Sequence, residues 1–256
     1  MEYFVKKGSI VREIWSKGDT ILFIFAGSAA EFALNKAVDW LYFTGRLPAD
    51  PIGRLFSTVS YARQIIFAER QIALQAIEKI TAIHQTVERN RDSKIPDWAY
   101  RDVLFMLIEY SINSFELLER KLSAEDKQDV FAVFNELGIH MGLKDLPVDY
   151  DEWRIMREQH LNKNLVYSKF TTDLYLQYRK QLGWLRYQLL IQSQILVVPK
   201  HVNTLLSLGK IPALKPGIFI YKMTRFLNFH TLIKNMILPE QYKKQIADLD
   251  TNLSML

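Results

Sequence analysis

Residues 50–88 read DPIGRLFSTVSYARQIIFAERQIALQAIEKITAIHQTVE. Their length and pattern predict two helices rather than one, with an irregularity near Phe67 to Arg70. In the second half, Ala73, Ile77, Ile80, Ile83 and Val87 recur at spacings of three and four, which lays them along one helix stripe. His84 stands beside Ile83 on the edge of that stripe and points toward whatever the stripe packs on. Upstream, Arg54 and Thr58 follow Pro51 and Gly53 and are four apart, so on a helix they share a face. A buried imidazole with a cation and a hydroxyl in reach can ligate a metal or haem and handle a polar ligand opposite it. The same pattern also describes a core histidine satisfied by a hydrogen bond, with Arg54 solvated and Thr58 packing its methyl. Spacing alone leaves both readings open.

Outward from this stretch the chain reads as helix nearly throughout. Ser9 to Trp15 is a short lead-in stopped by Lys17-Gly18-Asp19, after which Thr20 can cap an apolar helix running to about Phe43. Gly45 to Pro51 is a loop, and Asn90 to Asp97 a second one. Trp98 to Leu122 carries a clean helical period. Ser123 with Asp126 forms a capping-box variant that opens a helix to about His140. Asp151 to Leu165 is charged and amphipathic, Thr171 to Gln181 and Trp184 to Val198 are parted by Gly183, and Pro199 starts a shorter helix ending near Gly209. Residues 211–256, interrupted by Pro212, Pro216, Gly217 and Pro239, are expected as a tail packed on the rest. No strand, repeat or dividing linker is expected: the fold class is all-α, one domain over 1–256.

Composition agrees. In 256 residues, 49% are hydrophobic and 24% charged, the balance of a folded globular chain. The net charge of +5 comes from 33 basic and 28 acidic residues without a long like-charge block. No basic stripe with interleaved aromatics marks a nucleic-acid footprint, so nucleic acid is not expected as a partner. The chain has no cysteine, which removes disulfides, thiolate haem ligation and iron–sulfur clusters and leaves histidine as the protein ligand for any haem. The five histidines (84, 140, 160, 201 and 230) show no zinc spacing. The stretch MEYFVKKGSIVREIW (1–15) is too polar for a signal peptide and has no small-residue cleavage site, and the run Ile21 to Ala30 is about half a membrane span. We therefore expect a cytoplasmic protein without a transmembrane segment, with peripheral membrane contact left open.

Of the remaining side chains, His140 is expected at a helix end, where a cation is favourable, and His160 exposed. Tyr61 and Tyr110 are expected in the core with satisfied hydroxyls. Tyr175, Tyr178, Trp184 and Tyr187 form either a pocket wall or ordinary core.

DPIGRLFSTVSYA (50–62), followed by IHQTVE (83–88), resembles the haem-dependent oxygenase family of latex clearing protein (rubber oxygenase) and the MpaB-type oxygenases. The likeness extends more loosely over about residues 18–210, through SAAEFALNKAVDWLYF (28–43), LSAEDKQDVFAVFNELGIHMGL (122–143) and ILVVPKHVNTLLSLG (195–209). It implies a globin-like helical domain with additional helices and a b-type haem whose iron is ligated by His84. The ligand's other ring nitrogen would then donate to a carbonyl or carboxylate. Arg54 and Thr58 match the family's Arg-x-x-x-Thr pair on the distal side, where a guanidinium stabilises negative charge developing on oxygen. The family's catalytic acid falls on Asp39 by spacing, with Glu31 as the other acid of that region. Arg12, Arg46 and Arg101 are the cations available to haem propionates. Ser57 occupies the place where the rubber-cleaving members have a distal lysine, so the resemblance implies an open, high-spin ferric haem here and puts rubber cleavage itself in doubt.

The expected function is a haem-dependent oxygenase using dioxygen on a hydrophobic unsaturated substrate, isoprenoid or lipid-like. A haem sensor or storage protein and a haem-free helical protein binding an apolar ligand or partner are the alternatives.

Overall fold

A computed structural model describes residues 2–45 and 49–209, with Leu214. Arg46, His230 and all but Leu214 of the tail expected over 211–256 lie outside the described residues. The helices are α1 (Ile10–Trp15), α2 (Gly18–Phe32), α3 (Val38–Phe43), α4 (Pro51–Phe67), α5 (Arg70–Arg91), α6 (Asp97–Leu118), α7 (Ala124–His140), α8 (Tyr150–Asn164), α9 (Lys169–Val197) and α10 (Lys200–Leu206). Among the described residues the only β pairing is two isolated bridges, Tyr3 with Glu69 and Asn35 with Leu165. The fold is all-α.

The opening stretch explains its own break. Asp50 caps α4 by accepting from the Gly53 amide (2.9 Å), Pro51 takes the first turn where no amide is needed, and a Cβ on Gly53 would lie 2.0 Å from the Asp50 carboxylate. Ala68 and Glu69 then turn extended (ψ 159° and 149°) and end α4 before α5 begins. The N-terminal segment fills that gap: Arg70 donates its amide to Glu2 O (2.9 Å) and Phe4 its amide to Ala68 O (3.4 Å). α4 and α5 thus form an antiparallel hairpin. Counted from its turn, Arg54 and His84 lie at nearly the same level.

α2 is the central helix and packs along α6. Gly27 makes that approach possible, since a Cβ there would fall 2.3 Å from the Tyr110 ring. One turn on, the buried Glu31 carboxylate accepts from the Tyr110 hydroxyl (2.7 Å) and is gripped by both terminal nitrogens of Arg157, whose Nε meets Glu109. A charge buried this deeply persists only when paired and fully hydrogen-bonded. The trio joins α2, α6 and α8.

The expectation of one helix from Thr20 to Phe43 is corrected. α2 starts at Gly18, stops at Phe32, and resumes only at Val38. Asn35 ends it by local competition: its side-chain carbonyl accepts from the Ala37 amide (2.8 Å), an alternative to the helical ladder. Its Nδ2 donates to buried Asp102 (2.9 Å), which also receives Asn164 (3.2 Å) and contacts His160 Nδ1. His160 is therefore nearly buried, not exposed as its polar neighbours implied. Asp39 consequently rides on the short α3 rather than on the long apolar helix.

Other boundaries follow their signals. Ser123 and Asp126 form the reciprocal capping box that starts α7. Gly183 sits at φ 71° inside α9 and kinks it. Tyr175 and Tyr178 pack edge to face (5.6 Å) in the core, while Trp184 beyond the kink points outward. Among the described residues no helix is long and apolar enough to cross a membrane.

Candidate active site

The open end of the α4–α5 hairpin, with α2, α3 and α6, encloses an apolar cleft of about 260 Å³. Ile24, Phe25, Val59, Ile65 and Leu107 line it, and so do Arg54, Thr58 and His84. The stripe of α5 divides accordingly. Ala73 and Ile77 are buried in the core, whereas Ile83 keeps 41% of its surface exposed where the stripe opens onto the cleft.

His84 is the chemically informative member. Burial and then the nearby Arg54 charge push its imidazole down to about 4, against the opposing pull of Glu88. It is therefore neutral near pH 7, the form that ligates metals. Its Nδ1 is buried and has no hydrogen-bond partner among the described residues. The carboxylate one turn on, Glu88, instead accepts from the Ile95 amide (3.0 Å) and the Tyr100 hydroxyl (3.2 Å), while the Tyr100 ring lies 5.1 Å from the imidazole. The carbonyl or carboxylate expected behind the histidine is not engaged here. A core histidine satisfied by a hydrogen bond does not describe this arrangement.

That neutrality has a measurable cost in acid. The His84 side chain protonates near 6.5 in the unfolded chain and near 4 in the fold. Stability is therefore unaffected above pH 6.5 and falls as pH drops toward 4, by roughly 3 kcal/mol at most. His84→Gln does not titrate and removes this increment. Denaturant unfolding of the ligand-free proteins at about pH 7 and about pH 4.5 checks it: wild type loses more stability than the variant, and equal losses mean that the imidazole is solvated or charged in the fold.

Arg54 is held in place by its neighbours. Its Nη1 donates to Ser57 Oγ (2.9 Å), which donates back to Arg54 O (2.8 Å), and Thr58 Oγ1 donates to the same carbonyl (3.3 Å). Ser57 thus positions the guanidinium and does not line the cleft. Lys36 donates to Lys163 O and is turned to α8. Ser28 brings a further hydroxyl to the wall, its Oγ buried without a partner among the described residues.

The structure brings His84, Arg54 and Thr58 together and places the two acids elsewhere. Asp39 pairs with Arg91 (2.7 Å), and Glu31 is consumed by Arg157. Of the cations considered, Arg12 is buried and donates to Val5 O (2.9 Å), and Arg101 binds Lys144 O (2.8 Å). Arg91 was missed. It stacks 4.1 Å over Trp40, a cleft residue, and its Nη1 is buried without a partner among the described residues. The signal was present, since Arg91 follows His84 by seven residues, two turns along the same face. Tyr61, expected in the core, lines the cleft instead, whereas Tyr110 is buried with its hydroxyl satisfied as expected. His140 closes α7, 3.7 Å from Glu136.

No curated protein and no solved structure matches the chain significantly. The family profile described as ER-bound oxygenase mpaB/B'/Rubber oxygenase, catalytic domain, matches residues 15–229. Covering most of the sequence, that match means that the chain belongs to the mpaB/rubber oxygenase catalytic-domain family.

Proposed function

We propose that the protein is a haem-dependent oxygenase in which His84, on the wall of the apolar cleft, would hold the iron of a b-type haem. The observation that carries this is His84 itself, a neutral imidazole with an unpartnered buried nitrogen on an apolar wall. Among the described residues no three His, Cys, Asp or Glu side chains gather as a metal site, so a porphyrin is the natural source of the iron's remaining ligands. Bound haem supplies dioxygen activation. The chain's own groups do the rest: the walls exclude water and accept an unsaturated hydrocarbon, of isoprenoid or lipid type. Arg54, held by Ser57, offers a fixed positive charge where negative charge develops on oxygen, and Thr58 a hydroxyl to orient it.

Arg91, with Trp40 beneath it, is the cation we assign to a propionate. Asp39 is then a positioning residue that aims Arg91. The visible spectrum of protein purified from haem-supplemented cells tests the reading: a Soret band supports it, and none in wild type favours a haem-free binder of apolar ligands. Oxygen consumption with candidate alkenes separates an oxygenase from a sensor.

Arg54→Ala is expected to keep haem and lose turnover by roughly ten- to a thousand-fold, the scale of removing one fixed donor. Steady-state oxygen uptake at matched haem occupancy reads it. Loss of haem uptake instead assigns Arg54 to a propionate.

A further inference from the structure

The kink in α9 presents a surface that the active site does not use. Around Gly183 (φ 71°) the chain exposes Trp184 (67%), Leu185 (62%) and Leu176 (58%), with Arg179 and Lys180 exposed between them. Leu176, Arg179 and Lys180 share one helix face by their spacing of three and four. Large apolar side chains so exposed within ten residues mark an interaction site.

Charge says what kind. From Leu174 to Gly209 the sequence has no Asp or Glu but four Lys and Arg, where the chain's average of 28 acids in 256 residues would place about four acids. The preceding acid, Asp173, is occupied by the Tyr42 hydroxyl (2.7 Å). The surface is thus cationic with an amphipathic aromatic at its tip, the composition that sits at the interface of an anionic bilayer. Its position also matters. Tyr42 to Asp173 ties α9 to α3, whose Trp40 and Leu41 line the cleft, and Gln181 donates to Ala49 O (3.0 Å) next to the start of α4. The kink therefore lies alongside elements that wall the cleft, so a surface-bound protein holds that side toward lipid.

We propose that Leu176, Trp184 and Leu185, flanked by Arg179 and Lys180, seat the protein on the surface of an anionic phospholipid bilayer. The proposal stands independently of haem at His84; combined with it, the bilayer is the reservoir of hydrophobic substrate.

Flotation with phosphatidylcholine vesicles, alone or containing phosphatidylglycerol, tests it on the full chain. Binding is expected only with phosphatidylglycerol and is expected to fall steeply toward about 1 M salt, where screening shortens to about 3 Å. Brominated acyl chains quench the Trp184 fluorescence, and the quenching disappears in Trp184→Phe. Trp184→Ser with Leu185→Ser, and separately Arg179→Gln with Lys180→Gln, each lower partitioning at least about ten-fold with unchanged helical circular dichroism and melting. No binding, equal binding to both vesicle types, or no bromolipid quenching overturns it. So does a dimer in sedimentation velocity that Trp184→Ser with Leu185→Ser dissolves, which makes the surface an interface between copies.

Discussion

His84→Ala, purified from haem-supplemented cells, is expected to show no Soret band while its far-ultraviolet circular dichroism stays that of the wild type. The imidazole is the protein's one bond to the iron in the proposed site, and the apolar walls of the cleft persist without it. Little tertiary structure hangs on the side chain, because no hydrogen bond holds its buried Nδ1 among the described residues. Haem occupancy by pyridine haemochrome assay is the measurement, with at least about a ten-fold fall expected, since losing even an outer partner of a ligand costs about that much. Full occupancy in the variant removes His84 from the role. Wild type without haem points to the haem-free reading.

The second large effect is structural. Arg157→Ala strips the buried Glu31 carboxylate of its bidentate partner and also releases Glu109. Removing one member of a buried ion pair costs about 3–5 kcal/mol, which for a chain of this size lowers the melting temperature by roughly 10 °C. Glu31→Leu combined with Arg157→Met leaves only Glu109, which reaches solvent, without its partner and is expected to recover most of that loss. Thermal unfolding of the three proteins separates the causes. A double variant as unstable as Arg157→Ala shows that the packing of the arginine stem matters, and not its charge.

The helices were legible in the sequence where the chain writes its own punctuation. The Ser123/Asp126 box and Gly183 each act through backbone geometry within a few residues, and each appears in the structure where it was expected. Asn35 shows the opposite case. Its neighbours favour continuing the helix; the competing bond to the Ala37 amide is local, but the same side chain is also held by Asp102, 67 residues away in sequence. His160 was misjudged for the same reason, since nothing near it in sequence announces a carboxylate waiting on α6. At the candidate site, periodicity put His84 on the right stripe and Arg54 with Thr58 on one face. It could not show that two helices would bring those faces to a common cleft, nor that Asp39 would turn to Arg91. The family resemblance supplied that juxtaposition; the match over residues 15–229 shows the family alone.

The Glu31–Arg157–Glu109 trio also bears on the order of events during synthesis. Glu31 is made early, and its partner lies 126 residues later. At ribosomal rates of about 5–20 residues per second, several seconds separate the two. Over that interval the carboxylate has no guanidinium to accompany it into the interior, so α2 has reason to stay in water. Helical chains rich in local contacts fold fast, but the central helix of this one waits for a distant arginine. Its docking is expected only after Arg157 has been made, with the apolar face of α2 exposed on the nascent chain until then.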